Sequence, residues 1–180
     1  MNAPSPYLAA IDEHGELPFP VRLSILRSLD RKAREVLAYR CAKHVEPIWV
    51  TSFPTETDPF DLLDNYFEKS RTTGLDFGAE ITPLDDLENF LGEKGDSPDE
   101  CFPALCAGHA AWAACHVLCH DESLENETPE EEGDLDDCGP AFYAACAFSG
   151  GMYWRSDFPG DRSKRKEFWT WYLAQLGESS

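Results

Sequence analysis

Residues 105–121, LCAGHAAWAACHVLCHD, decide how this chain folds. The stretch has no Pro and a single Gly, Gly108. Its small and apolar residues recur at helical spacing, so it reads as a buried helix running from about Asp99 to His120. Alanines on several of its sides let neighbouring helices approach closely from several directions. That makes this helix the expected centre of the fold. An acidic run follows at once, holding Glu122, Glu125, Glu127, Glu130, Glu131, Glu132, Asp134, Asp136 and Asp137. Carboxylates at this density repel one another and predict an extended, solvated loop over 121–138.

Working outward, the other segments also carry helical patterns. Residues 1–17 contain Pro4, Pro6 and Gly15 and read as an irregular lead-in. Leu17 to Leu29 is a short amphipathic helix entered through Pro18 and Pro20. Asp30 is the expected cap of a second helix with Ala33, Val36, Leu37, Cys41 and Val45 inside, and Pro47 is its expected stop. Weak strand-type alternation shows only around Ile48 to Phe53. Asp58 with Pro59 signals a third helix, with Phe60, Leu63, Tyr66 and Phe67 inside and Gly74 at its end. Thr82 with Pro83 repeats that signal for a fourth, with Gly92 as its stop. After the acidic loop, Pro140 opens AFYAACAFSGG, terminated by Gly150 and Gly151. Ser163 is the expected cap of KRKEFWTWYLAQL, whose inner face is Phe168, Trp169, Tyr172, Leu173 and Leu176. Trp171 falls off that stripe and is the expected exposed aromatic. No repeat of fixed period is present. The sum is an all-α single domain over 1–180, a bundle of about six or seven helices with a long acidic loop.

Composition narrows the function. At 180 residues with 42% apolar and 12% aromatic residues, the chain can bury a substantial core. Fifteen bases against 34 acids give a net charge of −19. That field repels nucleic acid and anionic membranes and attracts basic partners. The N-terminus lacks a basic region followed by an apolar one, and no window reaches the roughly 20 apolar residues of a membrane span. The expected location is the cytoplasm, with the seven cysteines as free thiols serving as small core residues.

His109, His116 and His120 with Cys106, Cys115 and Cys119 raise the question of zinc. Residues four apart share a helix face, so His116 with His120, or Cys115 with Cys119, supplies two ligands. The two pairs lie on different sides, however. Cys115 and Cys119 continue the side of Leu105, Gly108 and Trp112, and His116 and His120 continue that of His109 and Ala113. No CxxC is present, so no metal is expected. Cys115 and His116 are adjacent and point apart on a helix, so they form no nucleophile–base pair. No GxSxG, Walker loop, GxGxxG, HExxH or EF-hand spacing occurs, and neither catalytic residues nor a cofactor are expected. Acidic pairs such as Asp85 and Asp86 read as charges at a helix start, favoured by the macrodipole. The basic group Arg162, Lys164, Arg165 and Lys166 is expected to meet internal carboxylates.

Four segments resemble a known family. These are REVLAYRCAKHVEPIW (34–49), TDPFDLLDNYFEKSRTTG (57–74), CAGHAAWAACHVLCHD (106–121) and RSKRKEFWTWYLAQL (162–176). They are similar to the all-helical immunity proteins of bacterial polymorphic-toxin systems, in particular the immunity-protein family numbered five. The first resembles its alanine-rich second helix with a Cys and a terminal Val-x-Pro, and the second its helix opened by Asp-Pro and closed by Gly. The third resembles its Ala- and His-rich helix, with His109, His116 and His120 at matching positions. The fourth resembles its closing helix, Arg-rich with Phe-Trp. Residues 75–100 and 121–137 are longer than the family pattern.

The resemblance implies a cytoplasmic protein that binds and neutralises a cognate protein toxin, with no catalytic residues of its own. Many such toxins act on nucleic acid and present basic sites, to which an acidic binder is steered. The candidate contact residues are Glu130, Glu131, Glu132, Asp134, Asp136, Asp137 and Trp171. The competing reading is a small helical enzyme or metal-binding protein built on the His/Cys-rich helix 105–120.

Overall fold

The computed structural model describes residues 6–72, 77–95, 98–119, 139–156 and 159–177. A 3-10 turn, Pro6–Ala10, precedes α1 (Phe19–Ser28), α2 (Arg31–Ser52), α3 (Asp58–Thr72), α4 (Phe77–Gly95), α5 (Pro98–Cys119), α6 (Pro140–Ser149) and α7 (Arg162–Gln175). No strand occurs among the described residues. The chain is an all-α bundle with α5 at its centre, packed against α2, α3, α4 and α6. Ala107, Ala110, Ala111, Ala114 and Cys115 of α5 are wholly buried. Gly108 shows why small residues matter there. A Cβ at Gly108 would lie 2.8 Å from the Trp49 ring of α2 and 2.6 Å from the Leu91 side chain of α4. The other helices add larger groups: Cys41, Val45 and Trp49 from α2, and Phe168, Trp169 and Tyr172 from α7.

Local signals hold where nothing larger competes. Asp30 caps α2, its carboxylate accepting from Ala33 N–H at 2.8 Å. Gly150 ends α6 in the left-handed region, φ 82°. Other expected boundaries move. Pro47 lies inside α2, which continues to Ser52, so Ile48 to Phe53 is helical up to that point and not a strand. Trp49 explains this. It is fully buried, and its indole N–H donates to the Glu56 carbonyl. Burying 150–250 Å² of a Trp at 25 cal/mol per Å² gives about 4–6 kcal/mol. That exceeds the roughly 3 kcal/mol cost of an interior Pro.

The fourth helix begins at Phe77 rather than Thr82, carries Pro83 inside, and runs through Gly92 to Gly95. Leu84, Leu87 and Leu91 form one buried stripe between those breakers. Thr57, not Asp58, stands before the first turn of α3, its carbonyl accepting from Phe60 and Asp61 N–H. Gly74 lies outside the described residues. The cap of α7 is Asp161, which accepts from Ser163 N–H at 2.8 Å and Lys164 N–H at 3.2 Å, so Ser163 sits in the first turn. Leu176 is only partly buried.

By length and composition Cys101–Cys119 could cross a membrane, with a mean hydropathy of 1.3, contrary to the expectation that no window approaches one. It is 67% buried inside the bundle, as a core helix is.

The lead-in is also less irregular than expected. Glu16 and Leu17 are buried beside α7. The guanidinium of Arg165, 1% exposed, has its Nε 3.7 Å from Glu16 Oε2. Arg165 therefore meets an internal carboxylate, as the basic group's surroundings suggested. Burial raises the Glu16 carboxyl from 4.5 to about 7, while Arg22, Trp169 and Arg165 pull the other way. A raised folded-state pKa means that the protonated acid favours folding. That contribution is complete below about 4.5 and is lost as pH rises through about 7. Its full size is about 3 kcal/mol. Glu16→Gln is therefore expected to flatten the fall in stability between about pH 4.5 and 7, the window these values set. Urea unfolding at several pH values measures this, and parallel pH slopes for the two proteins would assign the dependence to other groups.

Candidate functional site

Charge is unevenly placed along the chain. Residues 56–137 carry 24 of the 34 acids and three of the 15 bases. In the bundle this segment supplies α3 and α4. The first exposes Asp58, Asp61, Asp64 and Glu68, and the second exposes Asp85, Asp86, Glu88 and Glu93. Between the two helices lies a groove of about 470 Å³. Its lining comprises Asp58, Asp61, Leu62, Asn65, Pro83, Asp86, Leu87 and Phe90. Buried Leu87 and half-buried Leu62 and Phe90 form apolar walls, and three exposed carboxylates surround them.

These carboxylates differ from their neighbours. Asp64 is satisfied, accepting from Tyr39 Oη at 2.9 Å and Lys43 Nζ at 3.1 Å. Glu56 pairs with Lys94 at 2.8 Å. Asp61 accepts from Thr57 Oγ1 at 2.6 Å. Among the described residues Asp58, Asp61 and Asp86 have no ion-pair partner. The explanation expected for Asp85 and Asp86, a helix start, is overturned. The helix begins at Phe77, which puts both more than two turns inside it, beyond the reach of the N-terminal dipole.

Of the expected contact residues, Glu130, Glu131, Glu132, Asp134, Asp136 and Asp137 lie outside the described residues. Trp171 is half-buried, and one ring face is covered by His44, with centroids 3.9 Å apart and planes at 17°. Burial lowers the His44 pKa, against the pull of Glu167.

On α5 the faces differ from those expected. Trp112 belongs with His109 and His116 on one partly exposed stripe, its ring 4.4 Å from that of His116. His109 stacks on Tyr143 at 5.3 Å, and burial lowers its pKa. Cys115 and Cys119 are buried on another side, and burial pushes the thiols of Cys41 and Cys115 far above their ordinary range. The thiolate is the reactive form, so these two sites suppress nucleophilicity. Among the described residues no three His, Cys, Asp or Glu side chains are grouped to hold a metal. His120 and Cys138 fall outside them.

Two exposed aromatics escaped the sequence reading. Tyr153 (38% exposed) and Trp154 (42%) stand on the turn after α6, Tyr153 stacked on His14 and Trp154 on Phe142. The run MYWR after two glycines was the available signal, since aromatic residues beside an Arg in a loop are frequent interface anchors. A protein-family model described as immunity protein Imm5 matches residues 8–177. The comparison with curated proteins gives no match.

Proposed function

Because this chain belongs to the Imm5 family of immunity proteins, we propose that it binds a cognate protein toxin in the cytoplasm and neutralises it by covering a basic functional surface. It acts by occupancy and not by turnover, and it takes neither nucleic acid nor membrane as partner. One observation carries this beyond the family: the acids are concentrated in residues 56–137, and three of those on α3 and α4 have no cation among the described residues. A face of one sign attracts the opposite sign at long range and raises association rate more than final affinity. A toxin acting on nucleic acid carries such a basic surface. Glu130, Glu131, Glu132, Asp134, Asp136 and Asp137 add to this charge in our reading, and Trp171 is the aromatic contact we assign.

The test uses a candidate toxin sought among the genes that flank this one. Changing those six loop acids to Ser and Gln is expected to slow association about tenfold at low salt and to flatten its salt dependence. Melting temperature should stay the same or rise as self-repulsion falls. Stopped-flow kinetics at several salt concentrations, with a growth-protection assay, would read both. Unchanged association at low salt would make the loop a spacer, and absent protection by the natural chain would remove the toxin-binding reading altogether.

A further inference from the structure

We infer that the groove between α3 and α4 is the seat for a basic side chain of the partner protein, an Arg or Lys presented beside aliphatic residues. The inference rests on the toxin-binding reading and names what its acidic face grips. Three features lead to it. First, the groove is amphipathic in the manner of such a side chain. Leu62, Leu87 and Phe90 match a long aliphatic stem, and Asp58, Asp61 and Asp86 match its charged head. Second, Asp86 stands mid-helix, where neither the dipole nor a described cation neutralises it, and it lines the same groove as Asp58 and Asp61. An unpaired group of like charges costs stability that a bound cation returns. Third, the chain builds the same arrangement for itself at the next turn of α4. Lys94 Nζ lies 5.2 Å from the Phe90 ring centroid and pairs with Glu56 at 2.8 Å. A cation held by an aromatic ring and a carboxylate is thus realised on Phe90 by an internal residue, and the groove carboxylates line the same groove as that ring without a described cation of their own. Arg suits the seat better than Lys, because its planar fork can address two carboxylates at once.

The test uses the full chain and a defined probe, the capped tripeptide acetyl-Leu-Arg-Leu-amide, followed by amide chemical shifts. A matched peptide with citrulline in place of Arg keeps the shape and removes the charge. Saturable shifts are expected for the amides of Asp61, Asn65, Asp86 and Phe90 with the Arg peptide. The citrulline peptide and the triple variant Asp58→Asn, Asp61→Asn, Asp86→Asn should each weaken them about tenfold. All three positions are exposed, so the variant should remain folded, the relief of like charges opposing the loss of Asp58 and Asp61 as first-turn acids of α3. Shifts confined to other surfaces, equal shifts with citrulline, or shifts that survive the triple variant would each overturn the inference. If the groove ignores the peptide while the chain still protects cells from its toxin, the groove assignment fails alone. If the groove takes the peptide in a chain that gives no protection, the seat stands and the toxin reading falls.

Discussion

Above pH 7, where Glu16 is ionised, Arg165→Ala is expected to remove about 3–5 kcal/mol of stability, the range for breaking a buried charged pair from one side. The native total for a domain is only about 5–15 kcal/mol. The Arg165 Nη2 donates to Ser149 Oγ at 3.0 Å, to the Gly151 carbonyl, and to the Pro159 carbonyl at 3.3 Å. Its truncation removes these three bonds and leaves Glu16 buried, 3% exposed, without the nearest cation. The damage should reach four parts of the chain: the lead-in, the end of α6, the following turn and α7. Urea unfolding should show a lower midpoint at unchanged slope. Replacing both partners, Arg165→Met with Glu16→Leu, should recover part of the loss, limited by Arg22, which also acts on Glu16, and by the Arg165 hydrogen bonds that Met does not replace. A loss under about 1 kcal/mol for Arg165→Ala would mean that the pair is solvated or redundant.

Gly108→Val should cost a comparable amount, and Gly108→Ala about 1–3 kcal/mol. The sign is the informative part. In an ordinary helix interior Gly→Ala stabilises by roughly 0.5–1 kcal/mol. Here the added carbon meets Trp49 Cζ3 at 2.8 Å and Cε3 at 3.2 Å, on a ring that is wholly buried and cannot swing aside. Leu91 Cδ2 at 2.6 Å is the more yielding contact. Shortening Leu91 to Ala in the Gly108→Ala background should therefore recover little. A raised denaturation midpoint for Gly108→Ala alone would show that α2 and α5 are not in close contact at this point.

The fold was legible where the signal was local. The Asp30 cap, the Gly150 terminator and the small-residue face of the central helix are each set by a few adjacent residues, and each appears as read. Pro47 misled because its cost is local whereas the gain that outweighs it, burial of Trp49, comes from other helices; the Leu84–Leu87–Leu91 stripe lies between Pro83 and Gly92 and does not account for the helix running past them. Trp112 was a different kind of miss. It lies three residues after His109 and four before His116, so helical spacing alone placed it on their face. The Glu16–Arg165 pair joins opposite ends of the chain, and no spacing rule connects them. The groove was half legible: Asp58 and Asp61 announced an acidic face, but Asp86 was hidden behind a helix start that the fold does not use.

The central position of α5 also bears on how the chain is made. Its sequence is apolar enough to be mistaken for a membrane-crossing segment as it leaves the ribosome. Three of its four packing neighbours, α2, α3 and α4, precede it in the chain. Synthesis runs from the N-terminus at about 5–20 residues per second, so those helices are already outside when α5 emerges. The apolar helix thus meets three partner helices as it emerges and awaits only α6; because α2, α3 and α4 touch one another little, α5 is the element on which they gather. The order of elements along the gene acts as an internal chaperone for its stickiest part.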